Sequence, residues 1–157
     1  MIRLAIAEDH QSLIDGIKLL LEYEDGFSIV GTANNGEELL DIVRLKRPNI
    51  VITDIRMPKM DGITATKHIK KEFPEIKVLA FTMFDQIDAI EQMIAAGASG
   101  YLLKNSSLTE VKAAIEAVKK NHYDVILMDY KIPLLDGLEA TKAIKNLSDK
   151  KKNTVPV

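Results

Sequence analysis

The sequence contains no cysteine. Disulfides, zinc–thiolate sites and thiol nucleophiles are therefore excluded. Tryptophan is also absent and aromatic residues make up only 5% of the chain, while apolar residues are 46% and charged residues 28%, the balance of an ordinary soluble α/β domain. No apolar run approaches the ~20 residues that a membrane span requires. Acidic Glu8 and Asp9 follow the N-terminus too closely for a secretory signal, so the chain is expected in the cytoplasm. A net charge of -2 gives no electrostatic case for nucleic acid as the main partner. With 157 residues, one good core can be buried, with little left for a second domain.

What is present is organised around residues 50–62, IVITDIRMPKMDG. A fully apolar run ends in one carboxylate, Asp54, and a turn marked by Pro58 and Gly62 leads into a helical pattern. This order predicts Asp54 at the carboxyl end of a buried parallel strand, where open α/β sheets place their chemistry. Further short apolar runs predict strands over 3–7, 27–33, 77–82 and 100–104. Between and after them, apolar residues recur at helical spacing: Leu13, Ile14, Ile17, Leu20 and Leu21 in the first helix, and Leu108, Val111, Ile115 and Val118 in the fifth. Asn35 is expected to cap the second helix, with Glu37 and Glu38 in its first turn. Pro74 should stop the third and Gly97 close the fourth. Five strands alternating with five helices predict a doubly wound parallel sheet covered on both faces, occupying residues 1–120.

Residues 123–142 repeat the central stretch at a constant offset of 75, which carries Asp54 to Asp129, Pro58 to Pro133, Asp61 to Asp136 and Thr66 to Thr141. The same register lays the fifth helix over the second. A partial repeat, strand plus helix over 121–147, is therefore expected to be joined to the complete domain through the fifth helix, followed by a basic tail over 148–157.

The predicted strand ends carry Glu8 and Asp9, Asp54, Thr82 and Lys104. In a doubly wound sheet these ends converge. Carboxylates gathered in one crevice repel one another, and a hard divalent cation such as Mg2+ relieves that repulsion with oxygen ligands. An Asp facing a phosphoryl donor at such a cation can act as nucleophile. Phosphoryl transfer needs positioning and charge neutralisation above all; Lys104 can supply a point cation and the Thr82 hydroxyl a hydrogen bond.

The motifs Ala7-Glu8-Asp9-His10, Asp54 to Gly62, Phe81-Thr82 and Gly100-Tyr101-Leu102-Leu103-Lys104 resemble those of the receiver domain of two-component response regulators. The resemblance covers residues 1–120 and implies the flavodoxin-like strand order 2-1-3-4-5. It also implies that Asp54 accepts phosphate from a sensor histidine kinase, and that Glu8, Asp9, Asp54 and the Arg56 backbone carbonyl hold Mg2+. Lys104 would bind the phosphate, and Thr82 with Tyr101 would form a switch pair. Glu8 stands where Asp is frequent, and Asn105 where many receivers have proline. The Asp9-His10 and Leu103 to Ser106 stretches are similar to the subfamily that carries a LuxR-type helix-turn-helix, yet no DNA-binding domain follows here. Residues 123–141 resemble instead the receivers of hybrid histidine kinases, which suggests a chimera, a design or a truncated gene product.

Each of these residues also has a plainer reading. Asp54 could be a turn former, Glu8 and Asp9 a solvated pair, Thr82 a strand residue and Lys104 a surface charge; convergence of the strand ends decides for the site. Tyr101 could be edge packing, and its switch role rests mainly on the resemblance. His10 is expected to be an exposed loop residue rather than a ligand, and His68 and His122 to be surface residues. The lysine run 150–152 reads as a solvated tail. Asp129 lacks an acidic pair, a hydroxyl and a lysine of its own, so it is not expected to be phosphorylated. The apolar Val125 to Met128 run offers an unpaired edge. A parallel addition beside the fifth strand requires a right-handed crossover, and the receiver fold places the fifth helix on the wrong face for one. Pairing between chains is expected instead, so a homodimer could form through this strand or through the receiver face.

Two other functions compete with a signalling switch that has only self-phosphorylation and self-dephosphorylation chemistry. A Mg2+-dependent phosphohydrolase of haloacid-dehalogenase type wants a second Asp two residues past the nucleophile, where Arg56 stands. An engineered or truncated chimera could serve as a scaffold without output.

Overall fold

The computed structural model describes residues 1–83, 87–104, 108–120 and 126–127. Strands β1 (Ile2–Ala7), β2 (Phe27–Ala33), β3 (Ile50–Asp54), β4 (Lys77–Thr82) and β5 (Gly100–Leu103) alternate with helices α1 (Gln11–Glu22), α2 (Gly36–Lys46), α3 (Gly62–Glu72), α4 (Ile87–Ala95) and α5 (Leu108–Lys120). All neighbouring strands are parallel, and the first five lie in the order 2-1-3-4-5. The predicted doubly wound sheet is the observed one.

The sheet separates two cores. Because successive strand residues face opposite sides, Leu4, Ile6, Ile50, Ile52, Leu79, Phe81 and Leu102 point one way and meet Ile14, Ile17 and Leu21 of α1 with Val111, Ala114 and Ile115 of α5. Ala5, Ala7, Val51, Val78, Ala80, Tyr101 and Leu103 point the other way, against α2, α3 and α4. Burial on both faces is why the central strands read as unbroken apolar runs rather than as an alternation.

The helix ends are defined by side chains. Asn35 Oδ1 accepts the Glu38 N–H at 2.9 Å, and Glu38 Oε2 accepts the Asn34 N–H at 2.9 Å, a reciprocal cap that satisfies two donors at the start of α2. Arg47, in a left-handed conformation, ends that helix, and the Arg3 guanidinium donates to the carbonyls of Lys46 and Arg47. Asp61 Oδ1 accepts the Thr64 N–H at 2.8 Å and starts α3.

A sixth strand, β6 (Ile126–Leu127), corrects one expectation. It pairs in parallel with β5 of its own chain, Gly100 with Ile126 and Tyr101 with Leu127, rather than between chains. Only five residues separate it from α5, so closing the loop within one chain costs little entropy compared with recruiting a second molecule. The chirality objection is nevertheless visible. The steps β3–β4 and β4–β5 run in one direction across the sheet with α3 and α4 on one face, whereas β5–β6 runs the same way with α5 on the opposite face. Its crossover therefore has the opposite hand to the others, against a preference of about 98% for right-handed connections. The remainder of the expected partial repeat and the basic tail, with His122, Asp129 and Lys150 to Lys152, lie outside the described residues, as does Asn105.

Candidate functional site

Parallel strands that stop in register bring their ends together. Ala7 is level with Thr53, Asp54 with Phe81, and Thr82 with Leu103. Glu8 and Asp9 therefore emerge beside Asp54, and Lys104 emerges beside Thr82, whose carbonyl accepts the Lys104 N–H at 2.9 Å. Residues far apart in sequence meet because the topology leaves them one crevice.

Lys104 is the bridge. Its Nζ lies 3.1 Å from Asp54 Oδ2, 3.2 Å from Glu8 Oε2 and 3.4 Å from Glu8 Oε1. Glu8 is completely buried and Asp54 nearly so. The second Asp54 oxygen, Oδ1, accepts the Ile55 N–H at 2.7 Å. Asn34 Nδ2 donates to the Glu8 carbonyl at 3.2 Å, tying the acidic turn to the start of α2. Asp9 is about one-third exposed and contacts the His10 ring. Arg56, two residues past Asp54, has an exposed side chain and lies on the loop into α3.

That loop is held tightly. The Gly62 N–H donates to the Ile55 carbonyl and the Gly36 N–H to the Met60 carbonyl, at 2.7 and 2.8 Å. Lys59 has φ +65° and centres a three-residue turn closed by the Met60 N–H on the Pro58 carbonyl at 2.7 Å. A non-glycine residue in that region is strained by about 1–3 kcal/mol, a cost that persists only where the surroundings impose it.

Thr82 is fully buried, and its hydroxyl donates to the Met83 carbonyl at 3.2 Å. Tyr101 is buried among the residues packed under α4, including Ala89, Ile90 and Met93. The structure thus gathers Glu8, Asp9, Asp54 and Lys104 as expected, and sets Thr82 and Tyr101 on the two adjoining strands. His10 is the exposed loop residue expected before α1. Although its side chain is 67% exposed, Nδ1 is turned onto Glu8 Oε1 and Asp9 Oδ1. Asn34 was not anticipated; the Asn-x-x-Glu capping pattern beside it was the available signal.

The electrostatics are unbalanced. Burial, then the charge of Glu8, pushes the Asp54 carboxyl from 3.8 up to about 6, and the Lys104 ammonium only partly offsets them. A carboxyl with a raised pKa in the folded state holds its proton longer there than when unfolded. Stability should therefore fall as pH rises from about 4 to about 6 and stay reduced above that window. Asp54→Asn, which keeps the shape and removes the charge, is expected to stabilise the metal-free protein by about 2 kcal/mol at pH 7.5, with the gain vanishing near pH 4. Urea titrations at both pH values check this; equal gains at both would remove the electrostatic explanation.

A divalent cation would cure the same imbalance. Glu8 Oε2 is buried without a hydrogen bond, the Lys104 contact being an ion contact only. Glu8 and Asp9 lie side by side, with Asp54 joined to Glu8 through Lys104. Buried or half-buried carboxylate oxygens short of positive charge are the donor set a hard ion takes.

A family model, the response regulator receiver domain, matches residues 4–116 and again 106–157. The chain belongs to the response regulator receiver family. Among its relatives, the transcriptional regulatory protein DegU of Brevibacillus brevis is 36% identical over 118 residues, covering 75% of this chain and 49% of DegU. The transcriptional regulatory protein LiaR of Bacillus subtilis is 31% identical over 156 residues, 99% of this chain and 69% of LiaR. The signal receiver domain of the response regulator NarL from Mycobacterium tuberculosis superposes with a TM-score of 0.71 at 29% identity, covering 76% of this chain and 98% of that domain. The chain spans about half the length of the DegU and GacA relatives it matches. Receivers of this family generally hold Mg2+ in an acidic pocket and interact with histidine kinases. Among the described residues no helix is long and apolar enough to cross a membrane.

Proposed function

We propose that this receiver is a phosphorylation-dependent switch in which Asp54 takes the phosphoryl group of a sensor histidine kinase with Mg2+ bound at Glu8, Asp9, Asp54 and the Arg56 carbonyl. The observation that carries this reading is Lys104 Nζ held between Asp54 Oδ2 and Glu8. With Oδ1 tethered to the Ile55 N–H, Oδ2 is the oxygen placed to attack phosphorus. One P–O bond forms as the P–N bond to the kinase imidazole breaks, and the imidazole departs with the bonding electrons. When bound, the cation neutralises charge on the transferred group. Lys104 then exchanges its carboxylate contact for a phosphate oxygen, and the Thr82 hydroxyl leaves the Met83 carbonyl to donate to another. Tyr101, on the strand beside Thr82, carries that movement into the core under α4 as the second member of the switch.

The chain acts on itself and not on a metabolite, and it works in the cytoplasm. Residues 121–147 are read as a partial second receiver repeat, followed by a basic tail over 148–157, a reading supported by the 75-residue repeat and by the second family match over 106–157. The repeated sequence carries no acidic pair, hydroxyl strand end or lysine strand end of its own to serve Asp129. Acetyl phosphate with Mg2+ should add one phosphoryl group to the wild type and to Asp129→Ala and none to Asp54→Ala, read by intact mass. Absence of labelling in the wild type would overturn the proposal, and rapid turnover of many phosphomonoesters would make the protein a hydrolase.

A further inference from the structure

The main chain of Glu8 is held on both sides by the segment that leaves β2. Its N–H donates to the Ala33 carbonyl at 2.9 Å, and its carbonyl accepts Asn34 Nδ2 at 3.2 Å, across 26 residues of sequence. Together the two bonds fix the peptide planes on either side of Glu8, and so the direction in which Glu8 and Asp9 leave the turn. The side chain of Asn34 is not needed for capping. Asn35 Oδ1 accepts the Glu38 N–H, and Glu38 Oε2 takes the backbone N–H of Asn34, at 2.9 Å each. This reciprocal cap locks the Asn34 backbone and leaves its amide to reach the acidic turn. Next in sequence after the cap, the Gly36 N–H donates to the Met60 carbonyl at 2.8 Å, so closely that a Cβ at Gly36 would stand 2.7 Å from that oxygen. Asn34, Asn35 and Gly36 therefore hold both walls of the crevice, the Glu8–Asp9 turn on one side and the loop after Asp54 on the other.

We propose that Asn34 is a positioning residue whose amide pins the Glu8–Asp9 turn in the orientation that binds Mg2+, and that it takes no part in phosphoryl transfer. The proposal rests on the receiver reading above and goes beyond it by separating a residue that sets cation affinity from the groups that meet the phosphate. Asn34 acts through the turn, whereas Thr82 and Lys104 are placed by β4 and β5. Without the amide, the Glu8 carbonyl turns to water and the peptide that follows it gains freedom. Asp9, about one-third exposed, is the carboxylate this freedom displaces. Mg2+ demands near-ideal octahedral geometry, so its affinity is sensitive to such a displacement, and groups that orient ligands from behind are worth a measurable share of binding. Asn34 is itself exposed. A residue there with only a capping role would use its backbone and leave its amide in solvent.

The test is calorimetric titration of the full chain with Mg2+ for wild type, Asn34→Ala and Arg44→Ala, beside acetyl phosphate labelling of the same proteins. Asn34→Ala keeps the backbone N–H that Glu38 caps, so the start of α2 is preserved, and thermal unfolding shows that both variants are folded. Asn34→Ala should weaken Mg2+ about fivefold, the worth of one neutral hydrogen bond, while its labelling rate at saturating Mg2+ stays within about twofold of wild type. Arg44→Ala breaks the 2.6 Å ion pair with Glu72 near the other end of α2. It loosens the same helix and should leave Mg2+ affinity unchanged. Unchanged Mg2+ affinity in Asn34→Ala, an equal loss in Arg44→Ala, or labelling of Asn34→Ala that stays slow at saturating Mg2+ overturns the positioning role. Absence of Mg2+ binding or of labelling in the wild type would instead overturn the receiver chemistry, so the two failures appear in different proteins.

Discussion

Gly62→Ala should lower stability by about 3 kcal/mol and abolish phosphorylation at Asp54, although a single methyl group is added. A Cβ at Gly62 would stand inside van der Waals contact of the Asp54 carbonyl oxygen and 3.1 Å from both Asp54 C and Ile55 Cα. All three atoms are backbone, so no side chain can swing aside. The approach is enforced from both directions, by the Gly62 N–H bond to Ile55 and by β3, which is held between β1 and β4. Relief requires α3 to lift from the strand end, and that shift breaks the bond to the Ile55 carbonyl and moves the Arg56 turn. The better helix propensity of alanine, worth about 1 kcal/mol, does not compensate. Gly16 is the control: it lies in the exposed part of α1 with nothing within 4 Å of a Cβ. Gly16→Ala should gain about 0.5–1 kcal/mol. Urea midpoints for the two variants, with acetyl phosphate labelling, decide the matter. If both glycines tolerate alanine alike, the close approach of α3 to the phosphorylation loop is not what fixes Asp54.

The same glycine shows where sequence stops being legible. The elements were readable because apolar runs of strand length end in charged or turn residues and helical spacing fills the intervals. The crevice was readable because a doubly wound order leaves Glu8, Asp9, Asp54 and Lys104 no other place to go. Gly62, however, looks like turn punctuation after Asp61, and nothing in a linear pattern says that it must let a backbone pass. The contacts of the exposed His10 ring were not legible for a related reason. Periodicity reports which face of an element is buried, but the rotation of one exposed loop side chain depends on a hydrogen bond to Glu8 that forms only in the folded turn. The apolar residues of β6 announced a strand without announcing its edge. Pairing within the chain, against the usual crossover hand, was decided by the shortness of the connection.

Lys104→Met should cost about 3 kcal/mol at pH 7.5, much less at pH 5, and should lose most of its cost when Mg2+ is added. The substitution keeps the volume of the side chain and removes the only cation that contacts both Glu8 and Asp54 among the described residues. Two carboxyls, one wholly and one almost wholly buried, would then face each other without the ammonium that bridges them. Burial alone lowers the pKa of Lys104, but the hydrogen bond to Asp54 and the charges of Asp54 and Glu8 raise it above its ordinary value, so the ammonium is present throughout this range. Its loss removes the two largest influences holding Asp54 down, and that carboxyl should rise above about 6. The sign follows from proton uptake. The folded variant binds a proton that the unfolded chain has released, so its stability improves as pH falls through the raised pKa. At pH 5 a proton takes over part of the role of the ammonium, and at pH 7.5 neither is available. Mg2+ brings two charges to the same oxygens and should restore stability, while phosphorylation stays low because no amine meets the incoming phosphate. A cost independent of pH and of Mg2+ would mean that Lys104 stabilises the protein by packing its stem near Phe81, where Nζ lies 5.9 Å from the ring centroid. In that case the charge argument for the crevice fails.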